Sequence, residues 1–253
     1  MKDLYNNKIN YCLLFTLPVE VICLLSIEEN ILLVNKKIKE ACKRAGRCSN
    51  EVKLIAVSKT ASLDSINKAL ECGITTFGEN RVQEIVDKVP YVDNKAEWNM
   101  IGHLQTNKVK YIVDKVSMIQ SVDSIRLVQE IDKRFGDYGK AANVLVEINI
   151  GREESKTGID IDDTIDFITK ASAYENIKLC GLMTVAPICE NSEMSRPYFR
   201  RMREEFDLIK SMNIKNVDMK YLSMGMTGDF EVAIEEGSNM VRIGTGIFGK
   251  RNY

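Results

Sequence analysis

Histidine is almost missing from this sequence: one residue, His103, stands among 253. Its seven cysteines, at 12, 23, 42, 48, 72, 180 and 189, form no C-x-x-C pair. Zinc and similar ions need three or four clustered His, Cys or acidic ligands, so no metal centre is expected. An odd number of scattered cysteines argues for reduced thiols and a reducing compartment, which favours the cytoplasm. A surplus of either charge is missing as well, with 35 Lys and Arg against 36 Asp and Glu. Without a basic excess or run, nucleic-acid binding is not expected. No Pro- or Gly-rich linker and no low-complexity tract divides the chain, and its 253 residues, 45% of them apolar, suffice for one sizeable core.

Long hydrophobic runs are scarce, and the one that comes nearest lies at the start. Tyr11 to Ile27 is mostly apolar and follows Lys2 and Lys8. Pro18 and Glu20 interrupt it, it is shorter than the ~20 residues of a bilayer span, and no clear small-residue cleavage site follows it. Ser26-Ile27-Glu28-Glu29 then reads as a capping box, with Ile31, Val34, Ile38, Ala41 and Ala45 at helical spacing up to Gly46. Residues 1–25 are therefore expected to be an extension from an upstream start, outside a single domain at 26–253. A signal peptide or anchor is the alternative, and no membrane association is expected.

From Glu51 onward, short apolar runs alternate with helix-period stretches. Strands are expected to start near Lys53, Ile74, Trp98, Ser117, Asn143, Ile177, Lys220 and Met240. Helical faces lie between them, for example Ile66, Ala69 and Leu70, or Val109, Ile112 and Val113, or Phe199, Met202, Phe206 and Ile209 behind Pro197. Eight βα units in about 200 residues fit a closed (β/α)8 TIM barrel of the α/β class, with an extra N-terminal helix before the first strand. A flavodoxin-like open sheet is the runner-up.

Barrel chemistry gathers at the C-terminal ends of the strands. Lys59 ends the run Leu-Ile-Ala-Val-Ser-Lys, and strand alternation puts it on the face of Ile55 and Val57. A lysine beside a desolvated core has its charged form disfavoured, which suits an amine that must attack an aldehyde; a lysine that snorkels to solvent is the bland alternative. The last strand ends Arg242-Ile243-Gly244-Thr245-Gly246, where glycines permit close backbone approach and N–H groups face a possible phosphate. The strand before it ends in Ser223, followed by Met224-Gly225-Met226-Thr227-Gly228 and a helix start near Asp229. The single His103, in a βα loop, is more readily a structural hydrogen-bonding residue than a general base.

Several motifs together resemble the pyridoxal phosphate homeostasis protein family: Ala56-Val57-Ser58-Lys59-Thr60, Phe77-Gly78-Glu79-Asn80-Arg81-Val82-Gln83-Glu84, Trp98 to Lys108, Gly181-Leu182-Met183-Thr184, Ser223 to Asp229 and Val241 to Gly249. The resemblance spans about residues 27–251. It implies the barrel of the alanine racemase N-terminal domain and a bound pyridoxal 5′-phosphate (PLP) in Schiff-base linkage to Lys59. It further implies that Arg242 faces the pyridine nitrogen, that Ser223, Gly244 and Thr245 hold the phosphate, and that Asn80 and His103 lie near the cofactor.

A permanently cationic arginine opposite the ring nitrogen disfavours its protonation and weakens the ring as an electron sink. Racemisation also needs an acid or base on each face of the substrate Cα, and alanine racemases draw one from a second, β-rich domain for which a chain ending at Tyr253 has no room. A PLP carrier or regulator without dedicated turnover, exchanging cofactor with PLP-dependent apo-enzymes, is therefore expected. The alternative is a PLP-dependent amino-acid racemase or related fold-type III enzyme. Removal of residues 1–25 is expected to leave a cooperative unfolding transition intact; loss of that transition in chemical denaturation would show the extension to be structural.

Overall fold

In the computed structural model, which describes residues 25–249, Ser26 opens the fold as a cap. Its hydroxyl accepts from the Glu29 amide at 3.2 Å and its own N–H donates to the Glu29 carboxylate at 2.8 Å, the reciprocal pair of a capping box. Helix α1 (Ile27–Arg44) follows and buries Ile31, Val34, Ile38, Ala41 and Cys42 on one stripe. The extension expected over residues 1–25 falls on residues 1–24, which lie outside the described residues.

Eight parallel strands close on themselves in chain order. They are β1 (Lys53–Val57), β2 (Thr76–Glu79), β3 (Glu97–Met100), β4 (Met118–Val122), β5 (Ala142–Ile148), β6 (Ile177–Thr184), β7 (Val217–Met226) and β8 (Met240–Ile243). Closure is the pairing of β8 with β1, from Lys53 opposite Met240 to Ala56 opposite Ile243. An open sheet is excluded. The outer layer comprises α2 (Leu63–Glu71), α3 (Val82–Lys88), α4 (Ile125–Asp137), α5 (Thr164–Ala171), α6 (Arg196–Ser211), α7 (Phe230–Glu235) and α8 (Thr245–Phe248). The expected strand starts differ by up to three residues, most at β7, where pairing of Val217 with Leu179 begins ahead of Lys220.

One crossover departs from the expected helix. Val109, Ile112 and Val113 are buried as their spacing requires, but Thr106–Tyr111 winds as a 3-10 helix. A three-residue separation such as Val109 to Ile112 is the natural repeat of that tighter winding.

Period-two alternation sorts each strand into two environments. Outward residues such as Ala56, Phe77, Trp98, Val241 and Ile243 pack between barrel and helices, where α1 joins α2, α7 and α8. Inward residues form layers. Ile55, Met118, Leu145, Met183 and Met240 make an apolar plug, and two residues further along their strands stand Gln120 and Arg242, both buried. The barrel is thus filled, apolar below and polar toward the C-terminal mouth. Among the described residues no helix is long and apolar enough to cross a membrane.

Gly181 marks the tightest backbone approach. It sits at a register shift between β6 and β7 with φ +144°, and a Cβ there would overlap the Tyr221 carbonyl oxygen. Gly181→Ala is expected to lower unfolding stability by about 3 kcal/mol, since backbone strain and overpacking act together. Urea denaturation with an unchanged midpoint would contradict this.

Candidate functional site

Lys59 lies just past the end of β1 and is half-buried. It lines a cavity of about 260 Å³ with Val57, Thr60, Gly244, Thr245 and Phe248. Barrel closure is what brings these residues together across about 185 positions of chain, since β1 and β8 are paired neighbours. A larger cavity of about 550 Å³ lies at the opposite end of the barrel, around Lys53, Asn99 and Tyr221, and holds none of the expected site residues.

The turn after β8 is shaped for close approach. Gly244 has φ −107° and ψ −80°, and its carbonyl accepts from the Ile247 and Phe248 amides to start α8. The first amides of a helix have no partner inside it, so they face outward from the turn. The Thr245 hydroxyl is 3.2 Å from the Thr227 hydroxyl, which also accepts from the Gly246 amide at 3.3 Å. A Cβ on Gly246 would come within 2.9 Å of Ile243 and 3.2 Å of Thr227, so glycine keeps this contact open. From outside, the Asn30 side-chain amide of α1 donates to the Ile247 carbonyl at 3.0 Å and steadies α8.

Ser223, expected at the phosphate, is not part of this turn. Across the β7/β8 pairing Ser223 stands opposite Met240, whereas Met226 stands opposite Arg242 after a register shift. The residue level with the Gly244 turn is therefore Thr227. Ser223 is fully buried: its hydroxyl accepts from Arg242 Nη1 at 2.6 Å and donates to Gln120 Oε1 at 2.8 Å. Gln120 in turn donates to Asn99 at 3.0 Å. Sequence reasoning missed Thr227 and Gln120; Thr227 stood inside a recognised motif, while nothing local marked Gln120.

Arg242 is 4% exposed and points into the barrel, with Nη2 donating to the Thr184 carbonyl at 2.7 Å. Burial pulls its pKa down to about 10, opposed by the nearby carboxylates of Glu147 and Asp229, so the guanidinium remains cationic at neutral pH. Burial also raises the pKa of both Glu147 and Asp229.

Asn80 is placed with His103 rather than with Lys59. Both line a separate cavity of about 490 Å³ shared with Arg81, Gln83, Gln105, Lys108 and Tyr111. His103 is 52% exposed at its side chain, with Nδ1 3.3 Å from Asp123. Among the described residues no group of three or more His, Cys, Asp and Glu is arranged to hold a metal ion.

Beside Lys59, on the outer side of the barrel wall, Glu79 is fully buried at the end of β2. It accepts from Ser58 Oγ at 2.6 Å and from Lys88 Nζ at 2.9 Å through Oε1. Desolvation, only partly offset by these two donors, raises its pKa from 4.5 to about 7. The folded chain therefore retains a proton between those values that the unfolded chain releases, so this group's contribution to stability is full below pH 4.5 and is lost as pH rises through 7. The difference amounts to about 3 kcal/mol. Glu79→Gln is expected to flatten that part of the stability profile; parallel profiles for variant and wild type in denaturant titrations would refute it.

The comparisons with known proteins follow the same lines. The family model described as alanine racemase, N-terminal domain, matches residues 34–252. A pyridoxal phosphate homeostasis protein of Aquifex aeolicus is 45% identical over 89% of this chain and 98% of its own length. One from Haemophilus influenzae is 38% identical over 90% and 98%. The structure of PipY from Synechococcus elongatus, solved with PLP bound, superposes with a TM-score of 0.77 at 27% identity, covering 88% of this chain and all of that one. With identity of this degree over nearly the whole barrel, the chain belongs to the pyridoxal phosphate homeostasis protein family, built on the alanine racemase N-terminal domain.

Proposed function

We propose that this protein binds PLP at the barrel mouth through Lys59 and serves intracellular PLP homeostasis by holding the cofactor and handing it over. The observation that carries this reading is the Lys59 cavity itself. Among the described residues, its lining combines one amine with the hydroxyls of Thr60, Ser62, Ser65 and Thr245 and the Gly244 turn, and includes no carboxylate. That donor set fits a phosphorylated aldehyde: an amine for the carbonyl carbon, and hydroxyl and amide donors for a phosphate dianion. PLP, when bound, supplies an aldehyde that condenses with an amine and a pyridine ring that withdraws electrons.

The protein's own groups divide the work. Lys59 offers the amine, Gly244, Thr245 and Thr227 the phosphate cradle, and Asn80 a polar group at the end of the neighbouring strand β2. Arg242 brings a fixed positive charge to the ring side, held in place by Ser223 and Thr184. A cation there opposes protonation of the ring nitrogen, which limits stabilisation of a carbanion and favours storage over turnover. Relatives carrying the homeostasis name and the PLP-bound PipY support the same reading. Exchange with PLP-dependent apo-enzymes in the cytoplasm is part of the proposal, consistent with the five described cysteines all being free thiols.

Purified protein is expected to carry the near-visible absorption band of PLP joined to an amine, and borohydride reduction should fix the adduct on Lys59. Lys59→Ala should abolish it; an adduct mapped to another lysine would sink the assignment. In a screen over amino acids, turnover within the range usual for enzymes, about 1–10³ s⁻¹, and lost in Lys59→Ala, would replace the carrier reading with an enzyme. Transfer of the cofactor to an apo-enzyme is the expected outcome instead.

A further inference from the structure

Lys59 sits in a short stretch of backbone that is gripped on both sides by α3. Lys88 donates from Nζ to three acceptors: the Ser58 carbonyl at 2.9 Å, Glu79 Oε1 at 2.9 Å and Glu84 Oε2 at 2.7 Å. An ammonium has three hydrogens, so its bonding capacity is filled. The same Glu84 oxygen accepts the Thr60 amide at 2.9 Å. Thus the peptide group before Lys59 is held through its carbonyl and the one after it through its N–H. Ser58 is fixed further by its hydroxyl, which donates to Glu79, and by its backbone N–H, which donates to the Gly78 carbonyl in β2 at 3.1 Å.

Thr60 explains why such a grip is needed. Its φ is +65°, the left-handed region that costs a residue with a Cβ roughly 1–2 kcal/mol. Such a conformation persists only where its surroundings over-determine it, and it turns the chain sharply straight after the lysine. Glu84 and Lys88 lie one helical turn apart, acid before base, in the orientation that best supports a pair on one face. The Lys88 side chain is 12% exposed and Glu84 21%, so both bonds are sheltered from water and salt.

We propose that Lys88 and Glu84 are positioning residues that clamp the two peptide groups flanking Lys59, and that this clamp sets the direction of its amine and the rate at which the site releases its cofactor. The proposal rests on the reading of Lys59 as the cofactor-bearing lysine. It gives α3 a role in handover that no contact with the cofactor is needed to explain. Loosening the Glu84 bond frees Thr60 to leave its left-handed conformation and lets the lysine stem swing away from the Gly244 turn.

Removing Lys88 would leave the buried Glu79 without its counter-charge and risks the fold, so the test centres on Glu84. Glu84→Ala deletes the acceptor of the Thr60 amide, while Glu84→Gln keeps an oxygen there. Two readouts are taken: amide hydrogen exchange at Thr60 in cofactor-free protein, and loss of the PLP chromophore on dilution of loaded protein. Both are expected to accelerate about tenfold in Glu84→Ala, the worth of one hydrogen bond to a charged group. Both should return close to wild type in Glu84→Gln. A cooperatively folded Glu84→Ala with wild-type exchange and release overturns the clamp, as does a Glu84→Gln that behaves like Glu84→Ala. A wild-type protein that takes up no PLP at Lys59 overturns the functional reading instead; the Thr60 exchange rates, which need no cofactor, tell the two failures apart.

Discussion

Pairing of β1 with β8 is the contact on which the site depends. Four rungs, from Lys53 opposite Met240 to Ala56 opposite Ile243, join the first strand to the last. These rungs set Lys59 beside Gly244 and Thr245, and they also remove the exposed edges that a parallel sheet of eight strands would otherwise carry. Helix α1 reinforces the seam. Its apolar stripe packs with Phe230, Ile234 and Ile247, and Asn30 ties it to α8. The segment that precedes the barrel in sequence therefore stabilises the turn that completes it.

Closure creates a second demand, because an eight-stranded barrel has an interior that must be filled. The lower layer meets it with Ile55, Met118, Leu145, Met183 and Met240. Higher up stands a guanidinium, and a charge removed from water is costly unless its hydrogens are used. Ser223 and the Thr184 carbonyl accept from it, Gln120 and Asn99 extend the chain of bonds, and Glu147 and Asp229 supply opposite charge. Removing any one member leaves another buried polar group unsatisfied, so the network holds Arg242 in a single pose. On the proposed reading, that fixed cation would favour keeping a cofactor over driving carbanion chemistry with it.

On the opposite side of the barrel wall a second polar cluster serves Lys59. Glu79, Glu84 and Lys88 occupy space between β2 and α3 that apolar residues fill elsewhere in this layer. A buried ion cluster is a poor source of net stability. Its presence behind the one lysine with a proposed chemical role, together with the left-handed Thr60, points to a local purpose: geometry maintained at some energetic cost.

Much of this was legible in the sequence. The start of α1 could be read from Ser26 and Glu29, because a capping box involves only neighbouring residues. The eight-unit alternation could be read from apolar periodicity, and Lys59 with Gly244 and Thr245 could be picked out because strand ends in a barrel are where chemistry collects. Family resemblance supplied Arg242 and Asn80. What the sequence could not determine was anything that depends on register. Ser223 and Thr227 are four residues apart in one motif, and only the shift between β7 and β8 decides that the first supports Arg242 while the second meets Thr245. The 3-10 winding at Thr106–Tyr111 was hidden for a related reason, since an i, i+3 apolar pair suits both kinds of helix until packing chooses. Gln120 carries no local signature. Lys88 pairs with Glu84 one helical turn away, but what ties Glu79 and Lys88 to the Lys59 segment are bonds to Ser58, 21 and 30 residues distant, and these, like the bond between Gln120 and Ser223 across 103 residues, exist only once the barrel has closed.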